Sequence, residues 1–306
     1  MTKDQPLAVH VHGKAPLELE EYITASGARL TSDIADAEFL VWNSLSAEGL
    51  TELLHPGIRW VQLPSAGINK WIDAGVIDAE RSWASAAGAY SDVVADHAVA
   101  LLLSAIHRVP EHANARSWKR LEFRPLNERR VVITGLGGIG RAIAQRLRAL
   151  GVAEVRGVVR NDRIDGSVDR VTTLSDPTWH VGVDDIINVL PSTPETRGVI
   201  NAEVLASLPG DGSLINVGRG DAIVDDDVLA ALANDELGGV FLDVTDPEPL
   251  PDSSPYWRDE RVVVTSHSAN PSRVATRTFI QRVLENISRA ADDEPLLGLI
   301  DVESGY

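Results

Sequence analysis

The sequence predicts an α/β fold of two doubly wound parallel-sheet domains, one inserted into the other. Three observations predict it. The chain has 306 residues, too many for one ordinary core and suited to two. Short apolar runs alternate with amphipathic stretches in two separate series, the βαβ rhythm of parallel sheets. A last periodic stretch, Ser272 to Ala291, has the pattern of a helix that packs back on a domain already begun.

In the first series Leu7–Val11, Phe39–Trp42 and Trp60–Leu63 read as buried strands with helical stretches between them. A long apolar-periodic helix is expected from Asp92 to His107, with Ser91 as its N-cap. Its spacing suits an element packed on both sides, such as a connector between domains. The second series begins at Arg130, with a strand at Val131–Thr134 and a helix at Ile139–Leu150 closed by Gly151. Strands follow at Val155–Val159, Asp185–Leu190, Ser213–Val217, Gly239–Asp243 and Val262–Thr265. The expected division is 1–95 for the outer domain, 96–270 for the inserted one and 271–306 for the return.

Hydrophobic residues make up 44% and charged residues 24%, as in soluble globular proteins. The formal net charge of −17 repels phosphate backbones and anionic lipids, which argues against nucleic acid or a membrane surface as partner. Any anionic ligand then needs locally concentrated cations. The absence of cysteine excludes disulfides, thiolate catalysis and Cys-ligated zinc. The start, MTKDQPLAVHVHG, has no long apolar segment, and the most apolar run, Ala98 to Ile106, is too short to span a bilayer. The expected location is the cytoplasm. His10 and His12 are poorly spaced for a metal pair, and His55, His107, His112 and His180 have no supporting motif, so no metal is expected.

VVITGLGGIGRAIAQRL carries Gly135, Gly137 and Gly140 in G-x-G-x-x-G spacing after a strand and at the start of a helix. Gly135 permits the tight turn, Gly137 lets the backbone approach a pyrophosphate, and Gly140 lets the helix sit close to the strand. The N–H groups near Gly138 and Ile139 would face phosphate at the helix N-terminus. Three glycines alone can be only a turn; with strand and helix in place they point to a Rossmann-like dinucleotide site. NAD sites carry an acid at the tip of the second strand. Here Val159 occupies the tip, and Arg160-Asn161-Asp162-Arg163 follow. An arginine fork suits a 2′-phosphate, which favours NADPH. Two solvated loop arginines, or Asp162 serving a ribose with NAD as cofactor, are the alternatives.

Three further segments lie just past strands, where ligands gather in open α/β sheets. LINVGRGDAIVDDDVLAAL contains Arg219, FLDVTDPEPLP contains Asp243 and Glu248, and VVVTSHSAN contains His267. Singly, each has a plain reading as a turn, a solvated loop residue or a structural histidine. As an ordered set they resemble the D-isomer-specific 2-hydroxyacid dehydrogenase family, which implies reduction of a 2-keto acid, and the roles make physical sense. Negative charge develops on the carbonyl oxygen, and a histidine near neutral pH can supply the proton. Glu248 can fix the imidazole of His267 and stabilise its protonated form. Arg219 can hold the substrate carboxylate and polarise the carbonyl.

With GLGGIG and LPSTPETRGVIN, these segments resemble the D-isomer-specific 2-hydroxyacid dehydrogenase family over nearly the whole chain, most strongly from Arg130 to Ala269. The resemblance implies a two-domain fold, an active site in the interdomain cleft and a homodimer. It implies that Asp243 orients the nicotinamide carboxamide and that Pro191, Val217 and Gly218 line the cofactor. It also implies that the backbone of Leu63-Pro64-Ser65-Ala66-Gly67 grips the substrate carboxylate. The double arginine after the second strand is similar to NADPH-preferring glyoxylate/hydroxypyruvate reductases. Trp42 in LVWNS resembles their bacterial branch and is read as a substrate contact. Glu248 argues against formate dehydrogenase, whose related motif has Gln there.

The chain departs from the family at Ser266, where a proline usually precedes the histidine and whose loss is expected to loosen that loop. It departs again at Tyr90, where many members have Asn. His97 stands where the family often has a structural histidine. Pocket size is expected to depend on Trp42, Leu63, Tyr90 and Trp257. The competing readings are an NAD-dependent member acting on D-lactate, D-3-phosphoglycerate or a branched 2-keto acid, and a dinucleotide-sensing binding protein on the same fold. Against phosphoglycerate, Lys14, Arg29, Arg59, Lys70 and Arg81 are scattered, and the length is expected to leave no regulatory domain.

Overall fold

The structure is a computed structural model, and it describes residues 5–302. The first four residues of the MTKDQPLAVHVHG segment and the last four of the 271–306 segment lie outside the described residues. The chain divides into two compact units, one made of the described residues up to Tyr90 and from Pro271 on, the other of Ser91–Asn270.

The first unit holds strands β1 (Ala8–His12), β2 (Arg29–Leu30), β3 (Phe39–Trp42), β4 (Trp60–Gln62) and β5 (Ser82–Ala84). They form one parallel sheet in the order β2-β1-β3-β4-β5. Side chains alternate across it, and both faces are covered. Val9, Phe39, Val41 and Trp60 pack with Phe279, Ile280, Val283 and Ile287 of the helix Ser272–Ala291. Leu40, Trp42, Val61 and Leu63 pack on the other face with Leu50, Trp71 and Trp83. The returning helix is fixed by a buried polar bond as well: Asn286 Nδ2 donates to Gln62 Oε1 at 2.6 Å.

The second unit holds β6 (Arg130–Thr134), β7 (Glu154–Val159), β8 (Arg170–Thr173), β9 (Asp185–Asn188), β10 (Ser213–Asn216), β11 (Gly239–Leu242) and β12 (Val262–Val264). The order β8-β7-β6-β9-β10-β11-β12, all parallel, is that of a dinucleotide-binding sheet. The strand order reverses between β6 and β9, and open α/β sheets take their ligands beyond the carboxyl ends at such a point. The helix Ser91–Ile106 packs against β10, β11 and the helix Gly138–Ala149. It belongs wholly to the second unit, so the boundary falls before Ser91 rather than after residue 95. Below the sheet, Arg129 is buried and makes a two-pronged bond to Asp185 at 2.6 and 2.8 Å.

Strands end one or two residues earlier than the apolar runs suggest, because Leu190, Val217, Asp243 and Thr265 already belong to loops. Three strands carry no sequence signal of the expected kind. β2, β5 and β8 are short edge strands with a weak apolar pattern.

Candidate active site

The glycine turn is shaped as its spacing requires. Gly135 has φ +104°, open to glycine and strained for other residues. A Cβ on Gly140 would lie 1.9 Å from the Gly135 carbonyl oxygen, so the helix can approach the strand only with glycine there. A Cβ on Gly137 would meet nothing within 4 Å. That open space beside the turn fits a pyrophosphate. The first bond inside the helix runs from Arg141 N to Gly137 O at 3.1 Å, which leaves the amides of Gly138 and Ile139 toward the turn.

After β7, Arg160 is exposed, and Arg163 Nη2 donates to the Leu136 carbonyl of the glycine turn at 2.7 Å. Asp165 lies in the same loop. Its carboxylate accepts from the Ser167 hydroxyl (2.6 Å), the Ser167 amide (3.1 Å) and Arg141 Nε (2.9 Å). The Ser167 hydroxyl, with these other donors, holds its pKa below the usual carboxylate range. Arg141 and Asp165 escaped the sequence reading, because only the folded loop brings them beside Arg163. Asp162 is exposed.

The loops after β9 and β10 hang on a ladder of buried side chains. Thr134 Oγ1 donates to Asn188 Oδ1, and Asn188 Nδ2 donates to Asn216 Oδ1, both at 2.8 Å. Asn216 then accepts from Gly218 N at 3.1 Å and donates to Arg219 O at 2.9 Å. Each ladder residue is the polar last residue of a strand with an apolar middle, a signal that could have found them. A Cβ on Gly218 would lie 2.8 Å from Leu190 O, so the β9 and β10 loops touch backbone to backbone. Val217 is buried, and Pro191 is exposed at the mouth of the β9 loop.

Arg219 Nη1 donates to Gly218 O at 2.7 Å. Burial lowers its pKa, and the nearby carboxylates of Glu248 and Asp221 offset part of that. Asp221 is itself held by the Ser192 hydroxyl and by Arg197 at 3.2 Å. Glu248 sits in the loop after β11, and its Oε1 lies 2.6 Å from His267 Nδ1. With Glu248 ionised, Nδ1–H donates to it, and Nε2 is left to exchange a proton with a ligand. Both side chains are about half exposed, at 43% for Glu248 and 52% for His267.

Ser266 and His267 both have left-handed backbone, with φ of +51° and +52°. Such residues cost about 1–2 kcal/mol each and persist only where other contacts hold them. Asp243 supplies those contacts. Its carbonyl accepts from His267 N at 2.6 Å. Its carboxylate accepts from the Thr265 hydroxyl (2.6 Å), Ser268 N (2.8 Å) and Ala269 N (3.2 Å). Burial pushes its pKa up, but the donors outweigh it and hold it low. The loop is pinned on both sides of His267 rather than loosened, and a φ of +51° lies outside a proline's range.

In the first unit, Ser65, Ala66 and Gly67 form a loop just beyond β4. Ala86 N donates to Ser65 O at 2.9 Å, Ser65 Oγ to Gly67 O at 2.6 Å, and the Tyr90 hydroxyl to Pro64 O at 3.0 Å. Burial raises the Tyr90 pKa above its ordinary value, so the hydroxyl keeps its proton and remains a donor. Trp42, expected to touch substrate, is 1% exposed. Its ring stacks on His12 at 4.4 Å and its N–H donates to Ser46 O at 2.9 Å. The indole has no free polar group, and Trp42 is a core residue. His10 bonds to Thr31 O, His55 to Ile34 O and His180 to Ser207, each a local structural contact. Among the described residues no cluster of His, Asp or Glu could hold a metal ion, and no helix is long and apolar enough to cross a membrane.

Residues 98–269 match the profile of the D-isomer specific 2-hydroxyacid dehydrogenase NAD binding domain. A Corynebacterium melassecola protein of the proB 3′ region is 34% identical over 93% of this chain and 95% of its own length. Glyoxylate/hydroxypyruvate reductase A of Serratia proteamaculans is 32% identical over 69% of this chain and 68% of its own. Two solved structures superpose over 98% of this chain and the whole of theirs, each at 26% identity. One, a Xanthobacter autotrophicus D-isomer specific 2-hydroxyacid dehydrogenase in complex with NADPH and MES, has a TM-score of 0.85. The other, an NADPH-dependent glyoxylate/hydroxypyruvate reductase of Sinorhizobium meliloti in complex with NADP and sulfate, has a TM-score of 0.80. The fingerprint turn, the reversed strand order and these likenesses agree: the chain belongs to the D-isomer-specific 2-hydroxyacid dehydrogenase family, NAD(P)-dependent enzymes that move a hydride between a nicotinamide and a 2-keto or 2-hydroxy acid.

Proposed function

We propose that this enzyme reduces a small 2-keto acid of the glyoxylate/hydroxypyruvate class with NADPH. The observation that carries the reading is the Glu248–His267 contact at 2.6 Å, with Arg219 within electrostatic reach of Glu248. The dihydronicotinamide, when bound, supplies the hydride. Arg219 pairs with the substrate's carboxylate and draws charge toward its carbonyl oxygen. His267 gives that oxygen a proton from Nε2, and Glu248 stabilises the imidazolium beforehand. Ser65, Ala66 and Gly67 offer backbone N–H groups to the carboxylate. Asp243 Oδ2, with one N–H at 3.2 Å, keeps acceptor capacity for the nicotinamide carboxamide.

Gly135, Gly137 and Gly140 with the amides of Gly138 and Ile139 would hold the pyrophosphate, flanked by Pro191, Val217 and Gly218. Arg160 and Arg163 favour NADPH over NADH, since no acid ends β7 and cations follow it. A phosphorylated substrate is disfavoured: Arg59 is paired with Asp293 at 3.4 Å and Arg81 with Asp78, so neither is a ready phosphate ligand.

A homodimer in the cytoplasm belongs to the same proposal. Trp118 is 99% exposed beside Arg116, Lys119 and Arg120, and this cationic, apolar stretch complements a second copy of a chain of net charge −17. The dependence on a reduced dinucleotide supports the cytoplasm. The test is cofactor absorbance with a panel of 2-keto acids, using NADPH and NADH in parallel. Turnover of glyoxylate or hydroxypyruvate, faster with NADPH, is expected. No turnover with any 2-keto acid would overturn the reading.

A further inference from the structure

We propose that His97 is a positioning residue for catalysis: through Thr265 and Asp243 it sets the loop that carries His267. This rests on the reading of His267 as the proton donor.

His97 follows Asp96 in the otherwise apolar stretch Val94–Leu103 of the helix Ser91–Ile106, and it is remote in sequence from the loop it faces. Its Nε2 lies 3.0 Å from Thr265 Oγ1 and 3.3 Å from Asp243 Oδ1. The Thr265 hydroxyl spends its own proton on Asp243 Oδ1 at 2.6 Å. Its oxygen is therefore an acceptor toward His97, and so is the carboxylate. Only a protonated Nε2 satisfies both, which fixes the state of that nitrogen. His97, Thr265 and Ser268 thus converge on one oxygen of Asp243, while Ala269 binds the other.

That convergence matters because both residues between Thr265 and Ser268 have left-handed backbone. Asp243 grips the segment on both sides of His267 and also takes its amide. Without His97, the Thr265 hydroxyl and Oδ1 each lose a partner, and the pair can rotate to find water. Asp243 then no longer defines one place for Ser268 and Ala269. Proton transfer tolerates little of this, since a displacement of about 1 Å can cost on the order of a hundredfold in rate. Cofactor binding at the glycine turn, on β6, should be much less affected.

The alternative is a histidine that merely completes the packing of its helix. A double-mutant cycle in the full chain separates the two. His97→Leu is made alone and in a His267→Ala background. The readings are kcat with a 2-keto acid at saturating cofactor, cofactor Kd by fluorescence, and Tm. His97→Leu alone should lower kcat by about tenfold or more and change cofactor Kd by less than about threefold. With His267 already gone, it should change kcat by less than about twofold, because the step it serves is absent. His97→Gln, which keeps an N–H donor, should recover most of the rate. Equal fold-losses in both backgrounds, or a normal kcat for His97→Leu, would overturn the proposal. If His97→Leu does not fold, Thr265→Val removes the middle of the same chain of bonds and is read through the same cycle. An inactive His267→Ala with additive losses would sink only the role of His97. Normal turnover in His267→Ala would sink the reading of His267 and this proposal with it.

Discussion

The carboxyl ends of the two sheets are built differently. In the second unit the four central strands end in buried hydrogen-bonding side chains: Thr134 on β6, Asn188 on β9, Asn216 on β10, and Asp243 one residue past β11. Each reaches sideways or forward and fixes the loop next to it. In the first unit β3 ends in Trp42 and β5 in Ala84, both apolar core, while the buried Gln62 that ends β4 binds the Leu63 and Ala84 carbonyls and the returning helix through Asn286 rather than a neighbouring strand's end residue. Its loop Pro64–Gly67 rests on main-chain bonds, the Tyr90 hydroxyl and the Ser65 hydroxyl within the loop. The second unit carries the groups assigned to proton transfer, which need atoms placed to a fraction of an ångström. The first carries backbone amides assigned to a carboxylate, a contact that tolerates more play. Buried, fully satisfied polar networks suit the first task because they define a single arrangement.

The comparison breaks most visibly at the proton-transfer groups. His267→Ala and Arg219→Ala should each lower kcat/KM by about 10²–10⁴ while leaving cofactor Kd nearly unchanged. Steady-state kinetics with fluorescence titration of NADPH would show it, and near-normal turnover would remove either residue from the mechanism. Glu248→Gln keeps the hydrogen bond and loses the charge. In the oxidation direction, its acid limb of rate against pH should move to lower pH; an unmoved limb would leave Glu248 a structural residue.

Two glycines of one turn should fail in opposite ways. Gly140→Ala places a Cβ 1.9 Å from the Gly135 oxygen and should cost more than about 4 kcal/mol, seen as loss of the folded second unit by thermal melting. Gly137→Ala meets nothing in the protein and should melt normally. It should lose most cofactor affinity, because the methyl enters the space given to the pyrophosphate. A Gly137→Ala protein that still binds NADPH tightly would show that the phosphates lie elsewhere.

The outer loop after β7 is exposed, and its effect should be smaller. Replacing Arg160 and Arg163 together by Ala should weaken NADPH by at least about tenfold and leave NADH little changed, with the gap shrinking as salt is added. Equal losses for both cofactors would mean that the arginines only support the loop. Arg163, bonded to Leu136, already does some of that.

Much of this was legible from residues alone, for a physical reason. β3, β6, β9 and β10 are covered on both faces, so consecutive apolar residues mark them: all of β3 and the middles of β6, β9 and β10. β2, with two residues, and β8, buried at a single position, give no such run. Arg219, Glu248 and His267 stood out because polar residues interrupt the pattern just past strands. Arg141, Asp165, Asp221 and Thr265 did not, since their meaning lies in neighbours 24 to 168 positions away. Trp42 shows the converse: a wide aromatic at a strand end suits a pocket and a core equally well, and the structure buries it and stacks it on His12.

The smallest expected effect falls on the first unit. The Tyr90 hydroxyl donates to Pro64 O at 3.0 Å, and Pro64 opens the Ser65–Gly67 loop. Tyr90→Phe keeps the ring and removes that one bond, worth about 0.5–1.5 kcal/mol. The loss should appear as a KM for the 2-keto acid raised by about two- to tenfold. The kcat and the cofactor Kd should hold, because the glycine turn and the His267 loop are untouched. The sign with pH follows from the raised Tyr90 pKa. A tyrosine whose neutral form is favoured in the folded protein contributes its stability below the unfolded pKa of about 10 and loses it as pH rises through the folded value. At neutral pH the bond is therefore fully made, and Tyr90→Phe should differ from the wild type by the same factor from about pH 6 to pH 9. An unchanged KM would mean that the Ala86–Ser65 and Leu63–Ala84 main-chain bonds hold the loop unaided. A fall in kcat as large as that of His267→Ala would mean that the first unit's edge is as exacting as the second's, and the contrast between them would not stand.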